Sequence, residues 1–291
     1  MPTYKRAWSL FYQFMSSILH DSSNSCFPVS PSVLALFIAY LYDKQYAPST
    51  VNTYVSALGY SHKLAGLPDP TKVFYILQML KGYNKKGFRL DNRLPVTLPI
   101  LTRILSTNIT SSYYECCLFR AMCAVAFFAF LRIGEITVNG KNSSNPPLQF
   151  NQVSKLCNSS FTEAIKISFG DYKHNYNQRP FSITMNRQAC GPCPVQCILE
   201  YLEQGNHLPG PFFQLRNGQA VPRSIFVTFL SSAIRQCGLN PAQYKGHSFR
   251  IGAASHAAAI GLTDSQIRVL GRWKSNAFRK YIRIDSFSAK P

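Results

Sequence analysis

Acidic residues are scarce in this 291-residue sequence: 12 Asp+Glu stand against 31 Lys+Arg, a formal net charge of +19. The resulting positive field concentrates polyanions at the surface and speeds their capture. Nucleic acid is the first such partner, because phosphate neutralisation supplies most non-specific affinity. A membrane surface is the alternative, but no uninterrupted apolar span of membrane length is present, nor a strongly amphipathic basic helix. No basic-then-apolar leader opens at Met1, which argues against secretion. No G-x-x-x-x-G-K-[ST] loop is found to cradle nucleotide phosphates, and no internal repeat points to a solenoid. Cysteine is not scarce. The nine cysteines are odd in number and lie mostly in apolar settings such as Cys116, Cys117 and Cys123, which suits buried free thiols in a reducing compartment.

What is present is a 46% hydrophobic fraction, ample for a packed core. The basic excess is spread over both parts of the chain, net +6 in 1–95 and net +13 in 96–291, unlike a basic tail. Apolar residues at helical spacing mark Ala7 to Leu19, then a helix opened by Ser30-Pro31-Ser32, and a third opened by Ala47-Pro48-Ser49-Thr50. The third carries Val51, Tyr54, Val55 and Leu58 on its apolar stripe. Asn52, Thr53, Ser56, His62 and Lys63 on the other side are available to face phosphates. A fourth helix is expected over Thr71 to Tyr83. Residues 1–88 therefore read as a small all-helical domain, and 89–95, charged and ended by Pro95, as a linker.

In 96–291 a helix over Pro99 to Ser106 precedes a buried one from Tyr113 to Leu131, whose apolar run Cys123 to Leu131 is too short to span a bilayer. Phe161 to Ser168 and Arg179 to Met185 alternate apolar with polar around a polar loop, the pattern of a β-hairpin. Helices resume at Pro194 to Gln204 and Ser224 to Cys237. A tight series follows: Phe249 to Ile260, Thr263 to Leu270 stopped by Gly271, and Ser275 to Ile284. The fold expected is mostly α (α+β), with a small antiparallel sheet in the second domain.

Three segments place strong charge where a core pattern runs. Arg132 ends the buried helix, with Glu135 three residues on; the plainer reading is a structural Arg–Glu pair. Gly246-His247-Ser248-Phe249-Arg250-Ile251-Gly252 puts His247 and Arg250 on one face at a helix start, where an imidazole moves protons and a guanidinium fork grips phosphate oxygens. Alone, an H-x-x-R is common in basic chains. Leu270-Gly271-Arg272-Trp273-Lys274-Ser275-Asn276-Ala277-Phe278-Arg279-Lys280-Tyr281 sets a tyrosine eight residues after a tryptophan, and 268–283 holds six bases and no acid. A tyrosine in such a place is most often core.

In order and distance the three segments resemble the tyrosine recombinase (phage integrase) family, whose pattern falls here on Arg132, Lys173, His247, Arg250, Trp273 and Tyr281. The resemblance covers nearly the whole chain: Ala47 to Gly66 is similar to the family's helical core-binding domain, and Cys193-Pro194-Val195 leads into a helix as in the family. It implies a DNA-clamping domain at 1–88, a catalytic domain at 96–291, and strand exchange on double-stranded DNA through a 3′-phosphotyrosine at Tyr281. Arg132 and Arg250, with Trp273 in place of the commoner histidine, would hold the non-bridging oxygens. His247 would assist the tyrosine, and Lys173 would protonate the leaving 5′-oxygen, with Lys166 its competitor. Neither cofactor, metal nor ATP is implied, and the working assembly is a homotetramer on two DNA sites. Composition resembles recombinases of eukaryotic mobile elements, which implies action in the nucleus; in a prokaryotic host it would be the cytoplasm.

Other readings stand beside this one. A DNA-binding protein derived from a recombinase has no need of all six residues. A type IB topoisomerase-like enzyme shares the nucleophile, but the N-terminal helical domain favours the recombinase. Cys190-x-x-Cys193-x-x-x-Cys197 begins like a zinc site, with His174 or His207 as a fourth ligand, yet the second pair of a standard spacing is missing. His256, on an alanine-rich helix, reads as a packed or surface histidine.

Overall fold

The computed structural model describes residues 2–20, 26–87, 91–139, 146–158, 161–170, 181–205 and 207–283. Contacts divide the chain into two compact units, Met1–Asp91 and Asn92–Pro291.

The first unit is four helices: α1 (Pro2–Ile18), α2 (Pro31–Asp43), α3 (Pro48–Leu64) and α4 (Phe74–Lys86). The Ser30 hydroxyl accepts the Val33 N–H at 3.3 Å and Pro31 occupies the first turn of α2, so the helix starts where its capping residues require. Phe11, Phe14, Phe37, Leu41, Val51, Leu58 and Ile76 interlock as the core. His62 departs from the sequence expectation. It is buried, not phosphate-facing: its Nε2 accepts the Val29 N–H at 3.0 Å and its Nδ1 lies 2.8 Å from the Leu58 carbonyl, so Nδ1 carries the proton and the ring is neutral. A lone imidazole with a backbone donor on one nitrogen and a carbonyl on the other is a satisfied core group.

The second unit begins with Leu94 donating to the Gln243 carbonyl and Val96 to that of Ser248. It comprises α5 (Leu98–Leu105), α6 (Tyr113–Phe128), α7 (Ile133–Ile136), β1 (Val153–Cys157), β2 (Thr162–Phe169), β3 (Phe181–Asn186), α8 (Pro194–Glu203), α9 (Arg223–Gln236), α10 (Gly246–Ala259), α11 (Asp264–Leu270) and a 3-10 turn at Asn276–Lys280. Nearly all of α6 is buried, with α5, α8 and α10 packed around it. The sheet is antiparallel in the order β1-β2-β3, with Ile165 opposite Met185 and Ile167 opposite Ile183, all four turned to the core. The expected hairpin is thus β2 and β3. Strand β1 is an addition: four of its five residues are exposed, so no in-and-out alternation betrays it. The chain is mostly helical with one small antiparallel sheet, as the sequence predicts.

Two helix ends differ from expectation, and both shape the site. Helix α6 stops at Phe128, because Phe130 takes a left-handed φ of 52° although the apolar run continues to Leu131. Helix α11 ends at Leu270 with Gly271 as its cap, as expected, and the left-handed residue is the next one, Arg272, φ 54°. The last segment is one 3-10 turn ending at Tyr281, not an α-helix over Ser275 to Ile284, of which Ile284 lies outside the described residues.

Candidate active site

Helix α10 carries the centre of the site. Ser248 Oγ accepts the Lys245 N–H at 3.0 Å and fixes the first turn, which sets His247 and Arg250 one turn apart. Gly252 is required here: a Cβ would lie 1.8 Å from the Val96 carbonyl oxygen, so only glycine lets the 94–96 segment run against this helix.

Arg250 is wholly buried. Nη1 donates to the Phe130 carbonyl and Nη2 to that of Gly271 at 2.7 Å, while Nε is buried without a hydrogen-bond partner. The left-handed turn at Phe130 ends α6 where its carbonyl meets the guanidinium. The guanidinium carbon sits 4.3 Å from the centre of the Trp273 ring and 6.0 Å from that of Tyr281. Burying a lone guanidinium costs several kcal/mol. Two charge-assisted hydrogen bonds and a desolvated cation–π contact, the latter worth about 2 kcal/mol, offset that cost. Burial pulls its pKa down to about 9, with repulsion from Arg132 next, so it stays a cation at neutral pH.

Arg132 stands at the start of α7, a third exposed. Its Nη1 meets Glu135 Oε1 at 3.0 Å, and its backbone N–H donates to Oε2 at 2.8 Å. The carboxylate has a second cation: Arg272 Nη2 reaches Oε2 at 2.7 Å, from a side chain only 2% exposed. Two guanidiniums share one carboxylate, so the cluster stays net positive. Arg272 also lies 4.5 Å over the Phe169 ring at the end of β2. Its left-handed backbone costs a non-glycine residue about 1–2 kcal/mol. The neighbouring Gly271 has an ordinary φ of −82°; a Cβ there would lie 1.7 Å from Trp273 Cζ3, so the glycine clears space for the indole.

Tyr281 is half-buried at the end of the last turn. Its ring is 5.3 Å from Trp273 and 6.2 Å from His247, centre to centre. Ser255 Oγ donates to the Tyr281 carbonyl at 3.3 Å and accepts the Arg283 N–H at 2.8 Å, tying the tail to α10. The His247 pKa is lowered from 6.5, first by burial, then by the positive charges of Arg93, Arg250, Arg223 and Arg132. The imidazole is therefore neutral at pH 7 and able to accept a proton.

Of the six residues expected from sequence, Arg132, His247, Arg250, Trp273 and Tyr281 come together. Lys173 lies outside the described residues, and its competitor Lys166 sits mid-strand in β2 opposite Thr184. Trp273 packs against Phe130, Phe278 and Tyr281 and covers Arg250. Arg93, Arg223 and Arg272 join the site without a signal in the sequence beyond general basicity. Cys193 is spoken for differently from a metal ligand: its sulfur accepts backbone N–H groups of Gln188 at 3.3 Å and Gln196 at 3.5 Å, capping α8. Cys197 is buried, its thiol pushed up to about 12 by burial first. His256 is half-buried, 5.9 Å from the Phe127 ring.

Chemically, the arrangement is a phenol beside a neutral imidazole and a cluster of cations with one acid among them, a setting for an anion that gains charge as it reacts.

No protein-family profile matches the sequence, nor does any curated protein. The structure, however, is similar to solved ones. XerH site-specific recombinase bound to a palindromic difH substrate, in a post-cleavage complex, superimposes with a TM-score of 0.63 at 14% identity, covering 98% of this chain and 76% of that one. The Tn1549 transposon integrase in complex with circular intermediate DNA gives 0.60 at 13%, covering 97% and 89%. A lambda integrase dimer bound to a COC′ core site gives 0.60 at 11%, covering 98% and 93%. Across nearly its whole length, this chain has the fold of the tyrosine recombinases and integrases.

Proposed function

We propose that the chain is a site-specific DNA recombinase or integrase that cleaves and rejoins double-stranded DNA through a 3′-phosphotyrosine at Tyr281. The observation that carries this reading is the placement of the Tyr281 ring between Trp273 and the neutral His247, beside a buried Arg250. Arg132 and Arg250 hold the non-bridging oxygens of the scissile phosphate and stabilise the charge added in the transition state. Tyr281 Oη attacks phosphorus while His247 takes its proton. The bond to the 5′-oxygen breaks, and Lys173 protonates that oxygen. Attack by the 5′-hydroxyl of a second strand reverses the steps and frees the tyrosine. Fixed cations do the work of a metal, and the phosphotyrosine conserves the bond energy, so the scheme calls for neither metal nor ATP. The working assembly is a homotetramer on two DNA sites of a mobile element, acting in the nucleus of a eukaryotic host or the cytoplasm of a prokaryotic one.

The test is covalent trapping on nicked duplexes drawn from a random pool and shown to contain a bound site. Wild type is expected to form an SDS-stable adduct without added metal, and Tyr281→Phe none. An adduct formed equally by both overturns the assignment. No adduct from wild type, with salt-sensitive binding retained, makes the chain a non-catalytic DNA-binding protein.

A further inference from the structure

Of the three arginines that the proposed scheme leaves without a task, Arg93, Arg223 and Arg272, only Arg272 is buried, and its surroundings are costly to build. It takes a left-handed backbone conformation that favours glycine, yet an arginine stands there, with its side chain 2% exposed. It touches two parts of the second unit far apart in sequence. Nη2 bonds Glu135 Oε2 at 2.7 Å, while Oε1 of the same carboxylate holds Arg132. Its guanidinium also covers Phe169, whose ring lies 6.3 Å from that of Phe181, nearly parallel.

We infer that Arg272 is the positioning residue of this site: by holding Glu135 Oε2 it orients Arg132 toward the phosphate. The inference rests on the recombinase reading and deepens it. Arg132 holds the carboxylate through its own chain, Nη1 on Oε1 and backbone N–H on Oε2. Arg272 adds a second cation on Oε2 from the far end of α11, which ties Glu135, and with it the Arg132 fork, to a distant part of the unit. Lysine serves such a buried site poorly, because its ammonium is a point charge on a flexible stem and lacks the flat face that covers Phe169. An arginine standing where glycine relieves the backbone is explained by what its guanidinium does, not by the turn.

Arg272→Gly separates positioning from a purely structural role, because glycine is the residue this backbone prefers. On the trapped nicked duplex, at saturating protein, single-turnover cleavage is expected to fall about 10²-fold, the usual consequence of misplacing a reacting group by an ångström. Half-saturation for DNA and the unfolding temperature stay near wild type. Arg272→Lys recovers part of the rate. Adding Glu135→Gln to Arg272→Gly slows cleavage no further than either change alone, because both act through one contact. Cleavage by Arg272→Gly at the wild-type rate overturns the inference while leaving the recombinase reading intact. So does a parallel loss of cleavage, DNA binding and unfolding temperature, which marks a purely structural arginine. Wild type that forms no adduct removes the recombinase reading and this inference together.

Discussion

The two units handle polar groups differently. Among the described residues, the first buries a single ionisable side chain outside the apolar set, His62, as a neutral ring with a backbone partner on each nitrogen. The second buries Arg250 and Arg272 as cations, with Glu135 as the only acid in their cluster. A satisfied neutral group stabilises a core at little risk, whereas a cluster with unbalanced positive charge is expensive unless an anion belongs there. The first unit thus buries its polar group satisfied, and the second carries an unbalanced positive cluster that the proposed chemistry would use.

That contrast can be broken from the second unit first. Arg250→Ala is expected to slow covalent cleavage by about 10²–10³-fold, the scale of losing a charge-stabilising donor. It also leaves the Phe130 and Gly271 carbonyls unpaired, at roughly 1–3 kcal/mol for each buried group. Rapid-quench cleavage and urea unfolding read the two effects separately. A variant as fast as wild type makes Arg250 a structural cation and erases the difference between the units.

A smaller effect concerns pH. Because the folded His247 pKa lies below 6.5, the acid limb of the cleavage rate is expected below pH 6.5. Between the folded pKa and 6.5 only the unfolded chain binds the proton, so the His247 contribution is complete above pH 6.5. It is lost as pH falls through that window. Arg93→Gln removes one of the charges that depress the imidazole and is expected to move the limb upward toward 6.5. A pH–rate profile unmoved by Arg93→Gln places the limb on another group.

In the first unit, His62→Ala is expected to cost about 1–3 kcal/mol through the unpaired Val29 N–H. Single-turnover cleavage on saturating DNA stays unchanged. A selective loss of cleavage at full stability contradicts the packing role. The smallest effect belongs to Arg279, which pairs with Asp264 at 2.8 Å with both side chains more than half exposed. Arg279→Ala is expected to change stability by less than about 1 kcal/mol, although Arg279 sits in the same tail as Arg272.

Much of this was legible in sequence. The helices of the first unit follow from apolar spacing and from prolines after small polar residues, and α10 from the run Phe249 to Ile260. The alternation in 161–168 and 179–185 gives the hairpin. His247, Arg250 and Tyr281 stand out because strong chemistry interrupts core patterns. Other features carry no local signal. Strand β1 is exposed, so it has no inward face to read. Phe130 turns left-handed within an unbroken apolar run because its carbonyl serves Arg250, a partner 120 residues away. Gly271 reads as a helix stop, but the positive φ falls one residue later, and the glycine is there for the Trp273 ring. Arg272 looks like one more base among six, since only tertiary packing brings it to Glu135. Local propensity reveals elements; burial of charge, which makes the site, depends on contacts distant in sequence.

The central claim is that Tyr281 forms the covalent bond to DNA. The most direct measurement is digestion of the trapped adduct with protease and nuclease, followed by tandem mass spectrometry of the nucleotide-bearing peptide. The account predicts a 3′-phosphonucleotide on Tyr281 of the Tyr281-Ile282-Arg283 segment. A nucleotide on any other residue, or one joined through its 5′-phosphate, contradicts it.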